Sequence, residues 1–376
     1  MAYSASSKFT YSALSTQHDE FIGPEFKVYV QGMVLSPDLF SIPSMDIIIP
    51  LTLGQRSRRP EAGECTFNIV GMFDLEATAF KNGLETLIKV GHQIEVRGGY
   101  RNPPTLFIGV ITSVDVSYGT GGVVVSVTAL DAISMMGGYK HNQVFNKQDP
   151  AQTVRSLLTP YVTGFPQKAK LGTIASLPAV QVDLARTDMK DAEFLFFLAR
   201  RFQKNFCIIH GEILFDDLLS NTIPISTLTY GQNLLSFHKQ LDTSRQYGKV
   251  QVTGYDENRN AIMGEADTVT VGGEGSTAAQ LDTAIKSRVM QLTDKIARTE
   301  IELKNIAQSV LNENALGFVS GKGTCIGIPE LTPGRFITVD GMAQSTNGTY
   351  FITRVTHHFG EDGFTSSFDI KGAKTK

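Results

Sequence analysis

The chain has 376 residues, with 41% hydrophobic and 19% charged residues, 35 glycines, no tryptophan and a formal net charge of -3. That length suits two or three domains, and the composition excludes both a disordered chain, which needs low hydrophobicity and high net charge, and collagen, which needs a strict glycine period. The charge argues against a general nucleic-acid or anionic-membrane binder, since both want clustered positive charge. The low charged fraction of a folded chain hints at a surface covered by other subunits.

Residues 1–22 are rich in Ser, Thr and Ala with little periodicity and read as a flexible arm. From Phe26 the pattern becomes β, with Phe26, Val28 and Val30 alternating. Met45 to Leu53 is an apolar strand interrupted by Pro50, and Cys65, Phe67 and Ile69 alternate with Thr66 and Asn68. A short helix is predicted near Asp74 to Asn82. Strands are predicted at Ile94–Arg97, Leu106–Val116 and Val123–Thr128, with glycine-containing turns between them. This gives a first β domain over residues 23–140.

The texture then changes. Asp149, Pro150 and Gln152 mark a helix start, and the stripe Val154, Leu157, Leu158, Tyr161 continues it until Pro160 should end it. A second helix is predicted from Asp188 to Phe202, followed by strands at Phe206–His210 and Glu212–Phe215. Residues 141–222 therefore read as a small α/β domain. Residues 223–376 read as a second β domain carrying a helical insertion at about 264–316. Lys249–Thr253 is its early strand, and the insertion ends in a helix opened by the capping box Thr299/Glu302. Closing strands are predicted around Phe336–Val339, Tyr350–Phe359 and Phe364–Ile370.

An internal repeat organises the chain. Gly91-x-x-Ile94-x-Val96-x-Gly98 recurs as Gly334-x-x-Ile337-x-Val339-x-Gly341. A strand then starts at Phe107-Ile108 in one copy and at Phe351-Ile352 in the other. Gly122 with Ser126 matches Gly363 with Ser367. Thr66–Gly71 against Lys249–Gly254 is a weaker pairing. The glycines are expected to shape turns, and Ile94, Val96, Ile337 and Val339 to pack one face of each sheet. Two similar small antiparallel β-barrels flanking an α/β domain follow as the architecture, mainly β with α+β character, because closure removes sticky edges.

Three further stretches resemble a known family. Phe318-Val319-Ser320-Gly321-Lys322-Gly323-Thr324-Cys325-Ile326-Gly327 with Pro333-Gly334, then Gly348-Thr349-Tyr350-Phe351-Ile352-Thr353-Arg354-Val355-Thr356-His357, resemble the late control protein D family of contractile phage tails. Asp191-Ala192-Glu193-Phe194-Leu195 through Leu198-Ala199-Arg200 is similar to the same family, the central baseplate hub, and to the hub portion of type VI secretion spike proteins. The resemblance implies a homotrimer of double-barrel subunits forming a pseudo-hexameric ring that joins a sixfold inner tube to a threefold spike. Its implied partners are the inner tube protein, baseplate wedge proteins, a spike and a tape-measure or cargo in the lumen. The chain stops at Lys376 without a spike domain, so the spike is expected to be a separate polypeptide. No signal pattern and no long apolar run precede this, so assembly in the bacterial cytoplasm without membrane insertion is expected.

Searching for chemistry yields near misses. Gly317 to Lys322 is one residue short of a phosphate loop and precedes a strand, not a helix. Asp256, Asn258 and Asn260 imitate a calcium loop without its glycine or closing glutamate, so a hairpin turn is the better reading. His357 and His358 should point to opposite faces of one strand. Cys65, Cys207 and Cys325 have no disulfide or metal spacing. Arg56, Arg58 and Arg59 form a basic cluster that could contact a subunit. No catalytic, metal or cofactor residues are assigned, and a structural, non-enzymatic role is expected. The alternatives are a tail-associated cell-wall hydrolase and a stand-alone carbohydrate-binding β protein.

Overall fold

The structure is a computed structural model and describes residues 7–36, 39–53, 59–145, 149–163, 168–178, 184–294 and 297–376. A short helix α1 (Tyr11–Gln17) comes first, capped by the Thr10 hydroxyl, which accepts from the Ala13 amide. Six strands of a first half follow: β1 (Glu25–Val30), β2 (Met45–Pro50), β3 (Glu64–Val70), β4 (Gln93–Gly99), β5 (Thr105–Gly119) and β6 (Gly122–Leu130). Buried and half-exposed residues alternate along β3, as a sheet with one packed face requires. The short helix expected near 74–82 comes later, as a 3-10 turn at Lys81–Gly83 leading into Leu84–Leu87. Phe73–Asp74 and Ala79–Phe80 instead pair as a tight β ribbon, where the aromatic rings meet edge-on at 5.2 Å. The Asp74 carboxylate accepts the Glu76 and Ala77 amides, which turns the chain back before a helix can start.

An α/β unit comes next. Helix α2 (Pro150–Val162) has Asp149 accepting from the Ala151 amide and Pro150 in its first turn. It runs two residues past Pro160. Strand β7 (Lys170–Ile174), helix α3 (Asp191–Arg201), and strands β8 (Asn205–Ile209) and β9 (Glu212–Asp216) follow, with β9 central and parallel to β7, and a ribbon of His141–Phe145 with Leu184–Met189 shares their core. Phe194, Leu195 and Phe197 lie in or against one core of helices and strands, with Phe194 and Leu195 fully buried, while Phe196 is buried apart from it, in a cleft lined by Leu53, Leu219 and Leu316.

The second half contributes β10 (Pro224–Thr229) and β11 (Leu234–Leu241), then a lobe of β12 (Lys249–Tyr255), β13 (Ala261–Ala266), β14 (Val289–Thr293) and helix α4 (Glu300–Ala315). Four further strands close the chain: β15 (Val319–Ile326), β16 (Phe336–Asp340), β17 (Gly348–Gly360) and β18 (Gly363–Gly372). The lobe begins earlier than expected. Lys249–Thr253 belongs to its three-stranded sheet, β13-β12-β14, and not to the second half. Helix α4 packs on that sheet through Leu303, Ala307, Val310 and Leu311, and Gly264 of β13 leaves room for the α4 backbone at Leu303 and Lys304.

All twelve strands of the two halves, with the short Met33–Val34, form one thirteen-stranded sheet. The first half runs β1-β4-β5-β6-β3-β2, and the second runs β10-β16-β17-β18-β15-β11. The fold is thus mainly β with α+β character. Among the described residues no ladder closes either half into a barrel. The outer edge of β2 pairs with β17 of the other half and does not return to β1, so the sheet runs on.

Candidate assembly interface

The repeat is visible in the ladders. Each half uses its six strands in the same chain order and the same spatial order. Five of the six also share directions; β1 is antiparallel to β4, whereas β10 is parallel to β16. At the entry, the Gly91 amide donates to the Ile111 carbonyl and the Gly334 amide to the Ile352 carbonyl, at 2.8 and 2.9 Å. Both hairpins carry a bulge at the same place. There the Thr112 hydroxyl donates to the Thr128 carbonyl and the Thr353 hydroxyl to that of Asp369, at 3.3 and 3.4 Å. Residues 107–130 correspond one for one to 348–371.

This register corrects two sequence pairings. Phe107 stands opposite Val96, and its counterpart opposite Val339 is Gly348. Phe351 corresponds to Val110, not to Phe107. Strand β3 corresponds to β15, since both pair with the third strand of their hairpin unit. The proposed match of Thr66–Gly71 to Lys249–Gly254 therefore fails, because the latter lies in the lobe.

Ile94, Val96, Ile337 and Val339 are fully buried. Gly91 and Gly334 occupy the left-handed region at φ 91° and 78°, where a side chain is strained. Gly341 does so as well, at φ 81°. Gly98 differs: it lies inside β4 without positive φ, and its bare Cα makes room for the Phe359 ring. Arg56 and Arg58 lie outside the described residues, and Arg59 is exposed.

The two halves meet where β2 and β17 pair antiparallel, from Arg354 opposite Pro50 to Phe359 opposite Met45. On the inner face Val355, His357 and Phe359 face Ile49, Ile47 and Met45, all buried. Phe359 stacks on Phe364 with ring centres 4.1 Å apart. The outer face is mixed, with Arg354, Thr356 and His358 opposite Pro50, Ile48 and Asp46, and with His358 Nδ1 2.7 Å from Asp46 Oδ1. Arg354 donates to both oxygens of Glu61 at 2.6 and 2.7 Å.

Residues 7–22 are not a loose arm. Leu14 is buried in the core of the second half, and the Phe9 amide donates to the Ile225 carbonyl. His18 Nε2 lies 2.9 and 3.0 Å from the two carboxylate oxygens of Glu330, and Gln17 donates to the same carboxylate at 2.8 Å. The buried guanidinium of Arg335 donates to the Ser7 hydroxyl and carbonyl. Phe21 then reaches the first half, meeting Tyr100 edge-on at 5.4 Å. The segment straps both halves together. Its apolar anchors are spaced too irregularly for a periodicity reading, and Glu330 is distant in sequence.

The chemically capable residues are placed for structure. Burial pushes the thiols of Cys65, Cys207 and Cys325 up, away from the reactive thiolate. Burial, with His210 nearby, holds His357 down to about 3, and its Nδ1 lies 2.9 Å from the Ser366 hydroxyl. His358 is on the opposite face, half exposed. Asp256 accepts from the Asn260 amide and side chain, making the turn between β12 and β13. Gly317 to Lys322 runs into β15. Among the described residues no group of three or more His, Cys, Asp or Glu could hold a metal, and no helix is long and apolar enough to cross a membrane.

This doubled half-sheet with an intervening α/β unit is the fold of phage-type tail proteins. A tail protein from Neisseria meningitidis MC58 matches with a TM-score of 0.66 over 93% of this chain and 96% of its own, at 14% identity. The 43 kDa tail protein of prophage MuSo2 from Shewanella oneidensis matches with a TM-score of 0.69 over 93% and 98%, at 12% identity. An Escherichia coli component of the type VI secretion system, described as structurally similar to the T4 tail proteins gp27 and gp5, matches with a TM-score of 0.53 over 93% and 78%, at 13% identity. At the level of family, the model of the Alg8 N-terminal domain matches residues 68–361, and the chain belongs to that family. No curated protein matches the chain.

Proposed function

We propose that this protein is the structural hub subunit of a contractile tail or injection-particle baseplate, of the late control protein D type. Three copies form a ring with six near-equivalent seats, which adapts a sixfold inner tube to a threefold spike. The observation that carries this reading is the repeat itself: one polypeptide contains the same six-strand order twice, with the β5–β6 and β17–β18 hairpins in gap-free register. A duplicated module lets a threefold assembly present sixfold contacts, which is a symmetry argument and not a chemical one. The tail proteins that share the fold support the setting. The buried, unreactive thiols and the structural use of the histidines favour a scaffold over a hydrolase.

Mass measurement tests this. Native mass spectrometry of the purified protein, alone and mixed with the spike component of the same particle, should give a species of three 41.0 kDa chains in at least one condition. A strict monomer in both overturns the hub reading. Lysis of peptidoglycan by the purified protein overturns the non-enzymatic part.

A further inference from the structure

The strand pairing between the halves has an unfilled image elsewhere in the same chain. Strand β2 is paired on both edges, by β3 and by β17. The counterpart of β2 is β11, and the counterpart of the second part of β17 is the second part of β5. Among the described residues β11 pairs along its length only with β15, and residues 113–119 of β5 pair only with β6. Each chain therefore carries both partners of a second such pairing, on edges that no other described strand pairs, although the Tyr118 ring meets Phe73 at 5.4 Å. We propose that residues 113–118 of β5 in one copy add antiparallel to residues 237–242 of β11 in the next copy. This inference rests on the hub reading and gives its ring a definite interface.

Burial at matched positions singles out these edges. Phe359 is 2% exposed, while its counterpart Tyr118 is 63% exposed. His357 is 0% exposed, while its counterpart Val116 is 40% exposed. Ile49 is 3% exposed, while its counterpart Leu241 is 50% exposed. Apolar side chains stand uncovered at the positions that are covered in the existing pairing. An exposed apolar edge strand is also a liability unless a partner occupies it.

Transferring the β2–β17 register fixes every contact. Val114 falls opposite Leu241, Val116 opposite Lys239, and Tyr118 opposite Phe237. The other face receives Ser113 with Asp242, Asp115 with Gln240, and Ser117 with His238. Apart from Lys239, one face is thus apolar and the other polar, an alternation that fixes the register of an added strand. Lys239 fits the apolar face because its ammonium is already held by the Ser345 carbonyl and the Thr375 hydroxyl, at 2.5 and 2.9 Å, which leaves its alkyl stem for Val116. A slip of one residue would set Val and Tyr against Gln and His. The occupant is a second copy of this chain, because the complementary pattern is its own. The contact is head-to-tail, so it closes only as a ring.

Paired cysteines test the register. Val114→Cys with Leu241→Cys, under mild copper–phenanthroline oxidation, should give covalent two- and three-chain species on a non-reducing gel. Tyr118→Cys with Leu241→Cys, four residues out of register, should not. The native thiols are buried and do not compete. Amide hydrogen exchange of the unmodified protein provides the second readout: residues 113–118 and 237–242 should be protected in the trimer and exchange freely in the dilute monomer. A trimer without in-register cross-links and without that protection overturns this interface and leaves the hub standing. A protein that never forms a trimer overturns both.

Discussion

Replacing Gly98 by alanine tests the contact between the halves with a single methyl group. A Cβ at that position would lie 2.5 Å from Phe359 Cζ, 2.9 Å from Cε2 and 2.8 Å from Leu106 Cδ1. Carbon atoms in good contact sit about 3.5–4.0 Å apart, so something must move by about 1 Å. Phe359 has little freedom to do so. It stacks on Phe364 at 4.1 Å, lies beside Phe26 at 5.5 Å and is 2% exposed. Overpacking of this kind costs about 1–3 kcal/mol, partly offset by about 0.4–1 kcal/mol from the stiffer unfolded chain. A net loss of about 1–2 kcal/mol is expected. Thermal or urea unfolding followed by near-UV circular dichroism would measure it. Phe359→Leu removes the colliding ring edge, so the Gly98→Ala loss should shrink in that background, with a coupling of about 1 kcal/mol. An equal loss in both backgrounds, or none in either, would refute the argument that Gly98 is a glycine for the sake of Phe359.

Other expectations follow from the buried groups. His357 stays neutral in the folded protein down to about pH 3, whereas its unfolded counterpart takes a proton below about 6.5. Its contribution is therefore full above about pH 6.5 and is lost as the pH falls, by at most about 1.4 kcal/mol per unit. Urea midpoints at pH 7 and pH 5 should differ less in His357→Asn than in the native protein. Asp131 runs the other way. Burial pushes its carboxyl up to about 7 against the pull of the Gly63 and Ile133 amides, so the folded state holds a proton that the unfolded state releases above about pH 4. Its contribution falls as the pH rises from about 4 to 7, and Asp131→Asn should flatten that slope in the same titration. Glu330→Ala leaves His18 and Gln17 without their acceptor, so limited proteolysis should cut within residues 7–22 faster than in the native chain. Gly264→Val drives a side chain into the α4 backbone, and the lobe should lose thermal stability while the main sheet persists.

The sequence showed the hairpin units because their punctuation is local: Gly91 and Gly334, Gly122 and Gly363 sit where turns need left-handed glycine. It misled where volume had been redistributed across a ladder. Phe67 faces Val127 in the first half, but at the matched pair Gly323 faces Phe368. The space is conserved and the residues are exchanged, so matching letters missed the equivalence of β3 and β15. The shift of Phe107 against Phe351 lies along one strand instead, with Gly348 and Val110 as the true counterparts. The strap of residues 7–22 was hidden because its anchors, Glu330 and Arg335, lie more than three hundred residues away. The pairing of β2 with β17 was also invisible, since edge choice depends on which strand is left unpaired and not on either strand's own pattern.

The lobe between β11 and β15 has a geometric consequence. In the first half the matching link, from β2 to β3, covers only residues 51–63; in the second half it is a folded body with its own core. Two halves that look alike along their strands are therefore unlike at this connection. In a closed array of three chains, a neighbour that touches the strands would count six, while a neighbour that touches the lobes would count three. Both counts are written into a single polypeptide by one long excursion in an otherwise repeated path.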